Sequence, residues 1–150
     1  MKDVALPFER SLGFQLRDAN RAVQRILASR IQAQGVTLGA WYFLRVLWEE
    51  EALTQRELSA RTGMQEPTAV MALRGMEKQG WITRERSTQD RRKVFIRLTE
   101  SGRALRTRML PEARAVNDVA TAGLTPDEIE TLLALLKRVR ANAADQPSRR

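Results

Sequence analysis

The chain has 150 residues, 43% of them hydrophobic and 29% charged, a globular composition long enough to bury one core. Lys and Arg outnumber Asp and Glu by 26 to 18, leaving a formal charge of +8, so the expected partner is an anion: nucleic acid or an acidic membrane surface. With neither Cys nor His, disulfides, thiolate chemistry, the commonest general base and the commonest zinc ligand are excluded, and no catalytic residue, metal site or cofactor is expected.

Phe8, Leu12, Leu16, Ala19, Val23, Ile26 and Ile31 recur at steps of three to five, which predicts a long amphipathic helix over residues 8–33, ended near Gly35. It is longer than a small lobe can cover, so part of its stripe is expected to face another subunit. Thr37 is placed to cap a second helix, with Leu38, Trp41, Leu44, Leu47 and Trp48 on one broad face and Glu49, Glu50 and Glu51 at its end. Thr54 and Glu57 form a capping box that opens a short helix ending at Gly63. Another helix starts at Glu66-Pro67 and runs to Gly80. Two short helices joined by a Gly-containing turn make a helix-turn-helix, with Ser59, Gly63 and Ala69 as the small residues expected where they cross.

Residues 81–86 and 94–98 predict two strands around a tip containing Gln89, Asp90, Arg91 and Arg92, with Val94, Ile96 and Leu98 on one face and Phe95 and Arg97 on the other. A helix-turn-helix followed by a basic hairpin is a winged helix. The hairpin carries Arg84, Arg86, Arg91, Arg92, Lys93 and Arg97 against Glu85 and Asp90, a net +4 and half the chain's excess. Three adjacent cations on an isolated turn are ordinarily solvated; placed after a helix-turn-helix on a basic chain, they are expected to contact DNA. Thr99 caps a further helix carrying Leu105, Met109, Leu110 and Val116, which Pro111 is expected to kink. Beyond Gly123, Thr125-Pro126-Asp127-Glu128 starts a last helix whose Ile129, Leu132, Leu133, Leu135, Leu136 and Val139 exceed what one surface helix needs, and residues 143–150 are expected to form a flexible tail. No apolar run approaches the ~20 residues of a spanning helix and no signal-peptide core is visible, so no membrane association and a cytoplasmic location are expected.

The run from LTQRELSARTGMQEPT through LRGMEKQGWITRERSTQDRRKVFIRLTESGRAL resembles the MarR family of winged-helix transcriptional regulators. Asp90-Arg91-Arg92 followed by VFIRLT matches the family's wing motif, MEKQGWI the helix end and strand entry, and VTLGAWYFLRVL the helix before the helix-turn-helix; the likeness spans residues 8–142. It implies a mainly α fold with a small β-hairpin wing, a DNA-binding lobe over residues 37–99, and dimerisation helices over 8–35 and 100–142. It also implies a homodimer on a pseudo-palindromic operator in double-stranded DNA. The helix at about 66–79 would lie in the major groove and the wing in the minor groove, with Arg92 inserted, Asp90 orienting its basic neighbours, and Arg84, Arg86, Arg91 and Lys93 near the backbone. An Arg in a narrow minor groove meets enhanced negative potential.

The chain departs from the family at Val70 and Met71, where relatives often carry Thr and Arg; contact with thymine methyls is the functional reading, and polar readout falls to Gln65, Thr68 and Arg74. The resemblance further implies a small aromatic or phenolic effector between dimerisation helices and lobe, with Trp41 and Tyr42 as aromatic lining and Arg17, Arg21 or Arg45 as countercharge. For Trp41, Tyr42, Phe43 and Trp48, core packing is the simpler reading. A thiol-based peroxide sensor is excluded by the lack of Cys. The reading is a dimeric repressor released by a small aromatic ligand; the alternative is an effector-independent architectural DNA-binding protein.

Overall fold

The computed structural model describes residues 6–147. A short 3-10 turn, Phe8–Arg10, precedes α1 (Leu12–Gln32) and α2 (Leu38–Leu47); β1 (Leu53–Thr54), α3 (Gln55–Thr62), α4 (Glu66–Lys78), β2 (Ile82–Arg86), β3 (Val94–Leu98), α5 (Glu100–Ala120) and α6 (Pro126–Ala144) follow. The chain divides into two compact units, one up to Val116 and one from Asn117 onward. No described helix is long and apolar enough to cross a membrane.

In the first unit α2 is the central element. It buries Ala40, Trp41, Phe43, Leu44 and Leu47 against Leu27 and Ile31 of α1, Leu58 of α3, Leu73 and Met76 of α4, Ile96 of β3, and Leu105 and Met109 of α5. The helix expected over 8–33 begins only at Leu12, and α1 buries only its C-terminal part. Leu12 is 58% exposed and Phe8, in the preceding turn, 69%, while Leu27, absent from the predicted stripe, is in the core. Helix starts follow their side-chain caps. The Thr37 hydroxyl accepts from Ala40 N–H at 3.2 Å, and in the Thr54 box Glu57 N–H donates to the Thr54 hydroxyl at 3.2 Å while Thr54 N–H donates to the Glu57 carboxylate at 2.7 Å.

The expected two-stranded hairpin is a three-stranded antiparallel sheet of order β1-β3-β2, in which Leu53 pairs with Ile96 and Thr54 with Phe95. A two-residue strand is too short for alternation to reveal it. Thr54 therefore does two things: it ends β1 and caps α3. Gly63 is not a crossing residue as expected. No atom lies within 4 Å of the place its Cβ would take, and its φ of +67° explains the glycine instead. The close approach is between α2 and α4, where a Cβ on Gly39 would stand 3.2 Å from that of Ala72. α5 runs through Pro111 as one helix.

In the second unit, Gly123 ends the turn after α5 at φ +84°, and a capping box between Thr125 and Glu128 starts α6. α6 has no buried residue, and Leu133 is 56% exposed. The helix reaches Ala144, so residues 143 and 144 of the expected tail are helical; residues 148–150 lie outside the described residues.

The start of α5 is packed without tolerance. A Cβ on Gly102 would lie 2.1 Å from the carbonyl oxygen of Trp81, a backbone atom that cannot swing aside. Gly102→Ala is expected to lose about 3 kcal/mol from overpacking, read as a fall in Tm of roughly 5–10 °C in a thermal melt; an unchanged Tm would show that α5 is free to shift.

Candidate nucleic-acid interface

α4 buries Ala69, Leu73 and Met76 and half-buries Ala72, so its register leaves Gln65, Thr68, Met71 and Arg74 exposed and Val70 half-buried on the outer side. Gln65 is the N-cap residue but makes no side-chain capping bond, and Pro67 occupies the first turn without an N–H to satisfy. The other first-turn N–H groups are left for an outside acceptor. At its far end, Gly80 (φ +74°) donates to the Glu77 carbonyl and Trp81 N–H to the Met76 carbonyl, each at 3.0 Å. This double bond pattern turns the chain from α4 directly into β2.

The wing tip is closed by its own polar groups. The Ser87 hydroxyl accepts from Gln89 N–H at 3.2 Å and from Asp90 N–H at 3.1 Å, Lys93 N–H donates to the Asp90 carbonyl at 3.0 Å, and Ser87 N–H donates to the Lys93 carbonyl at 2.9 Å. Asp90 accepts from the backbone N–H of Arg92 at 3.1 Å, so its carboxylate shapes the turn rather than holding a neighbouring guanidinium. Arg86 donates to the Arg91 carbonyl at 2.7 Å.

The cations divide by partner. Arg84 pairs with Glu77 at 3.2 Å, tying β2 to α4, and Arg97 pairs with Glu85 along the sheet. Among the described residues no carboxylate lies within salt-bridge distance of the exposed Arg74, Arg91, Arg92 or Lys93. The lobe thus presents a polar and apolar helix face and a turn whose cations form no salt bridge. No group of acidic residues placed to hold a metal ion is found among the described residues.

The five residues expected to hold an effector do not line one cavity. Arg17 and Arg21 border an open groove of about 520 Å³ on α1 with Asn20, Gln24, Arg25 and Leu38, and Tyr42 is hydrogen-bonded to Gln24 at its edge. Trp41 is instead in the core, edge-on to Trp48 with ring centroids 5.9 Å apart. Arg45 stands 5.7 Å over the Trp41 ring and pairs with Glu49, away from that groove. Arg25, not singled out from the sequence, follows Arg17 and Arg21 at steps of four; that row was the signal available for it.

A family model described as "MarR family" matches residues 34–93. The transcriptional regulator MgrA of Staphylococcus aureus is 31% identical over 130 residues, 85% of this chain and 86% of its own length. A transcriptional regulator from Pseudomonas aeruginosa superposes with a TM-score of 0.81 at 33% identity, covering 87% of this chain and 98% of that one. A MarR family regulator from Listeria monocytogenes, solved with a 26mer DNA, does so with a TM-score of 0.84 at 25% identity, covering 90% of each chain.

The capping box that orients α3 carries a measurable charge signature. Hydrogen bonds from the Thr54 backbone and hydroxyl hold the Glu57 carboxyl below the ordinary glutamate value, helped by the charges of Lys93 and Arg61. A lowered folded-state value means stability that is full above the unfolded value and is lost as pH falls through the folded one. Glu57→Gln is therefore expected to lower Tm at pH 7, with the gap from wild type closing as pH falls below about 4. A gap that stayed constant to pH 3 would show that the carboxylate charge has no part in the cap.

Proposed function

Since the chain belongs to the MarR family of winged helix-turn-helix transcriptional regulators, which bind DNA and are not enzymes, we propose that it is a homodimeric repressor of a pseudo-palindromic operator, released by a small aromatic or phenolic ligand. The observation that carries the reading is the exposed outer face of α4 in one lobe with a wing tip whose three exposed cations form no salt bridge to a described carboxylate. α4 enters the major groove, where Gln65, Thr68 and Arg74 reach base edges and Val70 and Met71 lie against thymine methyls. Arg92 enters the minor groove at the tip; Arg84, Arg86, Arg91 and Lys93 serve the phosphate backbone, and Asp90 keeps the turn in shape. The site of action is double-stranded DNA in the cytoplasm.

Exposed Phe8 and Leu12 at one end of the chain and Leu132, Leu133 and Leu135 at the other supply apolar surface for a second copy. The Arg17–Arg21 groove supplies countercharge for an aromatic acid. Release requires that the ligand favour a dimer whose two α4 helices are misspaced for successive major grooves, roughly 34 Å apart. The openness of that groove favours one other reading, an architectural binder without effector; an excess of random duplex would compete fully with an architectural binder and poorly with a repressor.

With ~4 phosphate contacts per subunit, the logarithm of the binding constant should fall against log salt with a slope near −7; a flat response in a salt titration would overturn the electrostatic reading. Arg92→Ala is expected to weaken binding by roughly tenfold or more with an unchanged thermal melt. Wild-type affinity in that variant would remove the wing tip from the interface.

A further inference from the structure

Of the five methionines, Met76 and Met109 are fully buried and Met64 packs against the core, while Met1 lies outside the described residues. Met71 is different: it is 70% exposed on the outer side of α4. It also borders a cavity of about 140 Å³ shared with Thr37, Ala40, Ala72, Gly75 and Trp81. Its thioether therefore has solvent on one side for an approaching oxidant and free space on the other for an added oxygen, with no core rearrangement required. The chain contains no thiol to intercept the oxidant first.

We propose that Met71 is a reversible oxidation site through which a peroxide weakens DNA binding. A sulfur lone pair of Met71 attacks the terminal oxygen of the peroxide, the O–O bond breaks and an S–O bond forms. Sulfur loses two electrons, and the peroxide is reduced to the corresponding alcohol, or to water for hydrogen peroxide. The reverse step is the reduction of the sulfoxide by a thiol-driven methionine sulfoxide reductase, with release of water. The inference rests on the docking of α4 proposed above. In that docking an apolar side chain meets thymine methyls; as the sulfoxide it sets a strongly hydrated oxygen against those methyls and loses part of its hydration on docking. The two-fold complex applies the change twice.

The test uses the full chain and duplexes that the untreated protein selects from a random library. Limited hydrogen peroxide should add about 16 Da to the peptide containing Met71 before those of Met64, Met76 or Met109. Affinity should fall roughly tenfold or more, and reductase treatment should restore it. Met71→Leu, compared with its own untreated affinity, should be insensitive to the same treatment. Unchanged affinity at complete Met71 oxidation, or an equal loss in treated Met71→Leu, would overturn this inference alone. Failure of the untreated protein to enrich any duplex would overturn the docking of α4, and this inference with it.

Discussion

The backbone of Trp81 is the junction on which the geometry of the DNA-binding lobe depends. Its N–H closes the end of α4 on the Met76 carbonyl, and its own carbonyl accepts from Thr99 N–H at 2.9 Å. The Thr99 hydroxyl then donates to the Gly80 carbonyl at 2.6 Å and accepts from Gly102 N–H at 3.1 Å, while the Trp48 indole N–H reaches the Gly102 carbonyl at 3.0 Å. The end of α4, both ends of the β2–β3 hairpin and the start of α5 thus meet within one hydrogen-bonded knot, partly buried at Gly102. Each bond contributes about 1 kcal/mol, and the several of them share donors and acceptors at Trp81, Thr99 and Gly102. The end of α4 and the base of the wing are thereby tied to one another through backbone bonds. Arg84 with Glu77 repeats the connection at the surface, where it is worth less.

Around that knot the charges are apportioned rather than merely abundant. Arg30, Arg61, Arg97 and Arg103 each meet a carboxylate, with Glu112, Glu50, Glu85 and Glu51 as partners. Within the tip itself the acid, Asp90, is committed to a backbone N–H. The turn therefore keeps its shape without losing its positive charge, which a guanidinium–carboxylate pair would have cancelled. Exposed pairs elsewhere add little stability; their effect is to concentrate unneutralised charge where the chain projects.

Much of this was legible because it is local. The Thr54–Glu57 and Thr125–Glu128 boxes, Thr37, and the Gly35 and Gly80 stops act within four residues and are found where the sequence placed them. What was hidden depends on distant partners. β1 exists only because Leu53 and Thr54 lie beside β3, and Ala52 takes a φ of +61° to bring them there, a conformation no alanine announces. Gly63 and Gly39 look alike in the sequence, yet one is needed for its dihedral angle and the other for the closeness of Ala72. The aromatic cluster could not be divided in advance either: Trp41 and Phe43 belong to the core, whereas Tyr42, between them, turns to Gln24 on α1. The wing tip was legible as charge, but the roles of Asp90 and Arg86 as backbone partners required its geometry.

The outer face of α4 places a limit on how such a lobe can choose a sequence. Tip cations and phosphates give affinity without discrimination. A methyl group buried against Val70 or Met71 is worth only about 0.8 kcal/mol, less than the ~1–3 kcal/mol of a bidentate hydrogen-bonded contact. Two such apolar contacts and one Arg amount to about 2.6–4.6 kcal/mol before Gln65 and Thr68 are added, at the lower edge of the roughly 4–10 kcal/mol that separates a specific site from bulk DNA. A two-fold arrangement doubles every such term at no change in chemistry, and lets the stiffness of the DNA between the half-sites add to it. In the homodimer proposed above, a second copy doubles that modest reading face, and the uncovered leucines of α6 are apolar surface available to hold it.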